Sequence, residues 1–245
     1  MSQARKKLYS ESMHKVLLLT IFFIIISVQY YSFVTFELLY VYKDGFRSYY
    51  YFTAQNVRIR KEDSMAILNI YTDGACSGNQ NEKNAGGWGA ILEWGETRKE
   101  LHGGEADTTN NKMEMTALIE ALSCLKRTGL TINVFSDSTY LMDCFRKKWY
   151  VKWQKNGWVN SAKEPVKNRE LWERLLTLVS QHDISFYIVK GHVDVSNKNA
   201  DLQGRYKKFK SNNGPSFTYD DFLYITKMNN RADELANIGM APYKK

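Results

Sequence analysis

Asp73, Glu114, Asp137 and Asp233 lie far apart in the chain, yet each sits where a regular element begins or ends. Asp73 closes the alternating run AILNIYT, and Asp137 closes TINVFS. Glu114 falls early in a helical stretch from Asn110 to Lys126, and Asp233 opens a short terminal helix over NRADELANIG that stops near Gly239. In an α/β sheet, strand ends and adjoining helix starts converge on one crevice. Carboxylates gathered there repel, and they protonate or weaken the fold unless a cation sits among them. Mg²⁺ suits them, being hard, oxygen-seeking and octahedral, with Mn²⁺ as the alternative. Two such ions about 3.5–4 Å apart can activate a water and stabilise the leaving oxygen of a phosphodiester. Taken singly, each acid reads better as a cap or turn residue, Asp233 above all. Their joint placement reverses that reading.

The elements that must position these acids follow from the pattern of apolar residues. AILNIYT, GGWGAILEW and TRKELHGG read as three strands with a turn at Gly95, followed by the helix from Asn110. TINVFSD is a strand, STYLMDCFRKKW a helix, NRELWERLLTLVS a helix and SFYIVKG a strand before the terminal helix. The expected class is α/β, a mixed β-sheet of about five strands flanked by helices. With 245 residues and 44% hydrophobic content, one main core is expected. The formal charge of +8 points to a polyanionic partner, without separating nucleic acid from an acidic membrane. Cys76, Cys124 and Cys144 make neither a C-x-x-C pair nor an even set, which suits a reducing compartment such as the cytoplasm better than a disulfide framework or structural zinc.

Residues 1–64 stand apart. From Val16 to Phe36 run 21 residues without a charge, long enough to cross a bilayer. Arg5, Lys6 and Lys7 precede this run, but no small-residue cleavage site follows it, and basic residues on both flanks cancel the orientation cue. A membrane span is one reading of residues 1–64. The other, which we favour, is an upstream extension, with translation starting at Met65 immediately before the first strand. Codons allowed for Lys61, Glu62 and Asp63 include a purine-rich ribosome-binding sequence. Residues 1–64 hold nine Lys or Arg and five Asp or Glu, so residues 65–245 carry only +4 of the total charge. Affinity for a polyanion must therefore come from clustered cations.

The runs YTDGACSGN, GGWGAIL, TTNNKMEMTAL, VFSDSTYL, KNGW, PVKNRELW, VKGH and NRADELA closely resemble, in order, those of the bacterial type 1 ribonuclease H family. The resemblance covers nearly all of residues 66–240 apart from one insertion. It implies a ribonuclease H-like fold in residues 65–245 and hydrolysis of the RNA strand of RNA/DNA hybrids by two-metal-ion catalysis, leaving 5′-phosphate and 3′-hydroxyl ends. It also implies that Asp73, Glu114, Asp137 and Asp233 are the metal-binding catalytic carboxylates. His192, in VKGH, matches the family's mobile-loop histidine, and an imidazole titrating near neutrality suits proton transfer or product release. Asn79 and Thr109 match positions that hold a phosphate of the DNA strand.

Selecting a hybrid requires detecting a 2′-hydroxyl on one strand only, a task for short polar side chains in the minor groove. Asn110 and Asn111, directly before Glu114, are placed for it, although Asn110 or Thr109 could equally cap the helix. FRKKWYVKWQKNGWVNSAKEPVK interleaves Lys with Trp and matches the family's basic handle, near residues 145–168. Lys147, Lys148, Lys152 and Lys155 are the candidate phosphate contacts; Trp149, Trp153 and Trp158 serve equally well as packing. Between His192 and Asp233 lie 40 residues, more than in the better-known family members, with an insertion near 193–228 that is either a substrate-gripping lobe or a helical excursion packed on the surface. A monomer with no obligate protein partner is expected, in contact with a membrane only if residues 1–64 are translated. Two further readings stay open: a nucleic-acid-binding module that has lost catalysis, and a membrane-anchored interaction protein.

Overall fold

The structure, a computed structural model, describes residues 36–41, 47–52, 67–78, 84–195, 197 and 201–244. The chain divides into two units, Met1–Met65 and Ala66–Lys245. In the first, strands β1 (Phe36–Val41) and β2 (Arg47–Phe52) pair antiparallel, Phe36 opposite Phe52. The apolar run expected to span a membrane lies outside the described residues except for Phe36, which opens β1, and Met65 lies outside them too. Among the described residues no helix is long and apolar enough to cross a membrane.

The second unit is built on a five-stranded mixed sheet. Strands β3 (Leu68–Ser77), β4 (Ala85–Trp94) and β5 (Thr97–Ala106) form an antiparallel meander, and β6 (Thr131–Ser136) and β7 (Asp183–Ile188) continue parallel to β3, giving the order β5-β4-β3-β6-β7. The parallel pairs require crossovers, which are helical. Helices α1 (Asn110–Ser123), α2 (Thr139–Arg146), α3 (Trp149–Lys155) and α4 (Arg169–Val179) belong to these crossovers.

Because successive strand residues face opposite ways, each strand supplies two cores. Ile70, Ala90 and Val134 pack on one face with Leu118, Leu141, Trp172 and Leu175 from the crossover helices. Their neighbours Tyr71, Ile91 and Phe135 pack on the other face with Phe222, Ile225, Met228 and Leu235 of α6 (Tyr219–Met240) and Phe209 of α5 (Leu202–Asn213). The GGWG run explains how closely α6 approaches: a Cβ on Gly89 would stand 2.2 Å from the Ala232 carbonyl oxygen, so only glycine admits the helix there.

Two expected elements are redrawn. Asp233 does not open a short helix, because α6 begins at Tyr219 and reaches Met240 over 22 residues. Its start is a capping box in which Thr218 accepts from the Asp221 amide and Asp221 accepts from the Thr218 amide. Phe222, Ile225, Met228, Ala232, Leu235 and Gly239 then keep one buried face through Asp233. The helix expected over STYLMDCFRKKW breaks in two, with Lys148 at φ +53° between α2 and α3.

Within the insertion expected near 193–228, the described residues 193–195, 197 and 201–228 pack as a helical excursion against the sheet. Their regular parts are α5 and the first turns of α6, joined by aromatic contacts: Phe209 to Phe217 at 5.3 Å, Phe209 to Phe222 at 5.6 Å, and Phe217 to Phe135 of β6 at 6.2 Å. Asn213, at the end of α5, accepts from the Ile188 amide at 2.9 Å and donates to the Ile188 carbonyl at 2.8 Å. A side-chain amide thus occupies backbone groups on the outer edge of β7, which would otherwise be open to pairing.

Candidate active site

The parallel register of β3 and β6 sets the first two acids side by side. Thr72 lies opposite Ser136, so the next residues, Asp73 and Asp137, emerge from neighbouring strands at the same level. Glu114 comes from the first turns of α1, which the strand approaches at Gly74. A Cβ on Gly74 would stand 2.5 Å from the Glu114 amide nitrogen and 2.9 Å from the Met113 carbonyl carbon, backbone that cannot yield cheaply. One carboxylate oxygen from each of Asp73, Glu114 and Asp137 consequently falls within 4.8 Å of the others.

Asp233 approaches from α6 on the opposite face of the sheet. Its Oδ1 accepts from Asn237 Nδ2 at 3.1 Å, and its Oδ2 lies 3.7 Å from His192 Nδ1. His192 has φ +54°. The loop carrying it is held at two points: a Cβ on Gly191 would collide with Asp137 Oδ2, and Asn230 Nδ2 donates to the Val193 carbonyl at 2.8 Å. The four acids and His192 are therefore brought together, by elements far apart in sequence.

The electrostatics of the cluster follow from burial and like charge. Asp73 and Glu114 are 4% and 3% exposed. Burial, then the Asp137 and Asp233 charges, push the Asp73 carboxyl up to about 8, against a bond from the Gly74 amide at 2.7 Å that favours its ionised form. Burial and the same repulsion from Asp73 and Asp137 push Glu114 well above the usual carboxylate range. Asp137 is raised by burial, an effect opposed first by His192. Glu114 Oε1 accepts from Asn110 Nδ2 at 3.4 Å, while Oε2 is buried with no hydrogen-bond partner among the described residues. An unpartnered buried oxygen among all-oxygen donors fits a hard divalent cation, which would offset the repulsion and complete the coordination of Glu114.

The expected substrate contacts are distributed around this centre. Thr109 is the N-cap of α1, accepting from the Lys112 amide at 3.4 Å, and Asn110 and Asn111 are exposed on its first turn. Asn79 lies outside the described residues. Lys147, Lys148, Lys152 and Lys155 are exposed, Lys147 being paired to Asp143 at 2.7 Å. They begin one helix length from Asp137, since the eight residues of α2 span about 12 Å. Trp153 and Trp158 are buried, with Trp153 edge-on to Trp172 at 5.5 Å, so these two indoles are packing and not a stacking surface. Pattern reading had passed over Asn84, whose side chain donates to the Thr108 carbonyl at 2.9 Å and accepts from the Thr108 amide at 2.8 Å. This pair fixes the segment entering α1, and no local signal links residues 24 apart.

A family model described as RNase H matches residues 65–207. The chain belongs to the RNase H family. Similar curated proteins are bacterial RNases H: that of Symbiobacterium thermophilum is 51% identical over 130 residues, covering 53% of this chain and 86% of the relative. The RNase H of Parvibaculum lavamentivorans is 43% identical over 177 residues, covering 72% and 94%. Among solved structures, LC9-RNase H1, a type 1 RNase H with the type 2 active-site motif, aligns with TM-score 0.53 and 23% identity over 73% of this chain and 74% of that one, a likeness of fold. The RNase H sheet and flanking helices expected from the motifs are those observed. With this membership, the reading as an interaction protein gives way to an enzyme of the RNase H type; the matched residues begin at 65 and do not bear on residues 1–64.

Proposed function

We propose that the chain hydrolyses the RNA strand of RNA/DNA hybrids with two divalent ions, Mg²⁺ or alternatively Mn²⁺, leaving 5′-phosphate and 3′-hydroxyl ends. The observation that carries this reading is the convergence of Asp73, Glu114 and Asp137 within 4.8 Å around a buried, unpartnered Glu114 oxygen. These three and Asp233 are the residues that would hold the ions. When bound, such ions activate a water and stabilise the leaving oxygen of an in-line displacement.

The protein's own groups do the rest. The close approach at Gly74 fixes the backbones of Asp73 and Glu114 relative to each other, so the strand and helix that would present the metal-binding oxygens are already in place. His192, exposed and beside Asp233, can hold or release a proton at the edge of the site. Asn110 and Asn111 are exposed at the start of α1, with the Asn110 amide turned toward Glu114, where a contact with RNA 2′-hydroxyls would set the scissile phosphate over the carboxylates. Thr109 and Asn79 would hold a DNA phosphate, with Lys147, Lys148, Lys152 and Lys155 binding the same strand further along. The enzyme would act as a monomer, and its three unpaired cysteines suit the reducing cytoplasm.

The test is cleavage of a labelled RNA/DNA hybrid by the purified chain with Mg²⁺, beside single-stranded RNA, duplex RNA and duplex DNA. Hybrid-only cleavage with 5′-phosphate products, abolished in Asp73→Asn, is expected. Equal cleavage of single-stranded RNA, or full activity in Asp73→Asn, would remove the hybrid-specific metal mechanism.

A further inference from the structure

The exposed cations are not confined to the segment after α2. On α5, Leu202, Tyr206, Phe209 and Asn213 form the inward side, where Phe209 is buried and Asn213 is bonded to the β7 edge. Arg205, Lys208 and Asn212 fall together on one outer flank by their i, i+3, i+7 spacing. Lys207 lies on the opposite flank by the same geometry. The C-terminal end of α5, on the side bearing Arg205 and Lys208 by this spacing, meets the start of the handle: the Arg146 guanidinium donates to the main-chain carbonyl of Asn212. Between them runs an open groove of about 350 Å³ lined by Asp143, Arg146, Lys147, Ile188 and Asn212. Arg205 and Lys208 are exposed. The helix that carries them is held by the Asn213 bonds and by the packing of Phe209 on Phe217 and Phe222.

We propose that the flank of α5 bearing Arg205 and Lys208 is a second phosphate-binding row, continuous with Arg146 and Lys147 around the β7 edge. Its ligand is the sugar-phosphate backbone of the hybrid that occupies the active site. The assignment rests on the reading of a hybrid as substrate and extends it. Two cations carried on a helix already held in place require no backbone ordering on binding, and each adds to affinity through counterion release. The row carries no base contacts and therefore adds no sequence preference.

The experiment measures binding of a hybrid of about two helical turns to the full chain carrying Asp73→Asn, which prevents turnover, as a function of salt. Arg205→Ala/Lys208→Ala should lower the slope of log affinity against log salt by about 2 and weaken binding roughly tenfold at low salt. Lys207→Ala should change the slope by well under one unit, and the charge-retaining Arg205→Lys/Lys208→Arg should restore it. Circular dichroism checks that each variant is folded. An unchanged slope in Arg205→Ala/Lys208→Ala, or an equal loss from Lys207→Ala, would overturn the assignment. Cleavage by the unaltered chain is scored separately. Its absence counts against the hydrolytic reading, while the slopes still decide the role of α5.

Discussion

The active site has two sides of different construction. Asp73 and Glu114 are buried, belong to the strand and helix at the centre of the fold, and touch each other through the backbone contact at Gly74. Asp233 and His192 approach from the other face, with side chains 27% and 76% exposed, and are tied in by Asn237 and Asn230. The first side cannot relax without moving the sheet. On the second side α6 is itself packed on β4 through Ala232 and Leu235, and what can adjust is the exposed His192 and the loop that carries it. The proposed function, which asks a site to hold cations rigidly and also to admit and release a long substrate, would use both sides, and here they are supplied by separate elements.

The strongest way to separate the two sides is to remove charge from the buried one. Asp73→Asn should reduce hybrid cleavage by at least 10²–10³-fold, since charge stabilisation in a dry site is the largest contribution such a side chain makes. In chelator the same substitution should stabilise the fold near pH 8, because burial and the neighbouring carboxylates both disfavour the charge that has gone. The sign follows from the raised carboxyl: Asp73 is pushed up to about 8 in the folded chain by burial, Asp137 and Asp233. Its contribution is fully present below the ordinary Asp range and is lost as pH rises through about 8. Thermal unfolding in EDTA between pH 4 and 9 should therefore fall more steeply for the unaltered chain than for Asp73→Asn. If the two curves run parallel, the carboxylates do not repel in the way the cluster implies.

A smaller effect is expected from Gly74→Ala, which removes no carboxylate but shifts one of them. The added Cβ would force α1 away from β3, because what it meets is the backbone of Met113 and Glu114. Overpacking of this kind costs about 1–3 kcal/mol. A displacement near 1 Å at Glu114 should lower kcat on the order of 10²-fold. Denaturant unfolding and saturating kinetics measure both together. A variant with native kcat would mean that the buried side tolerates movement, and the contrast between the two sides would fail.

How far the site was legible depended on how local its determinants are. Asp73, Glu114 and Asp137 could be found because a strand end and a helix start declare themselves through alternation and spacing, and the motifs around them are distinctive. The position of Asp233 within its helix was misread. Thr218 and Asp221 do carry a legible capping signal, but dividing the chain at an insertion hid the continuous apolar face from Phe222 to Gly239. The break at Lys148 had no local signal, since a lysine at positive φ is held by its surroundings and not by its own preference. The Asn84 pairing to Thr108 and the Asn213 pairing to Ile188 are contacts between distant segments, which no periodicity reports. The core was readable; the fastenings were not.

The exposed side is probed by His192→Asn. Asparagine is chosen because it tolerates the left-handed backbone that His192 adopts, so the substitution removes the imidazole without straining the loop. The side chain is 76% exposed, and substitutions at such positions usually stay within about 0.5 kcal/mol, so unfolding in denaturant should be unchanged. The Gly191 contact with Asp137 and the Asn230 bond to Val193 both remain, and the loop keeps its path. What is lost is a proton carrier beside Asp233 and a cation that favours the ionised form of Asp137. General acid–base assistance is worth about 10²–10⁴-fold when it limits the rate, and an exposed group replaceable by water falls below that range, so kcat should drop roughly tenfold at neutral pH. A large loss of stability would show that the loop belongs to the rigid side after all. Unchanged kcat together with unchanged stability would leave His192 outside the chemistry and reduce the working site to its four carboxylates.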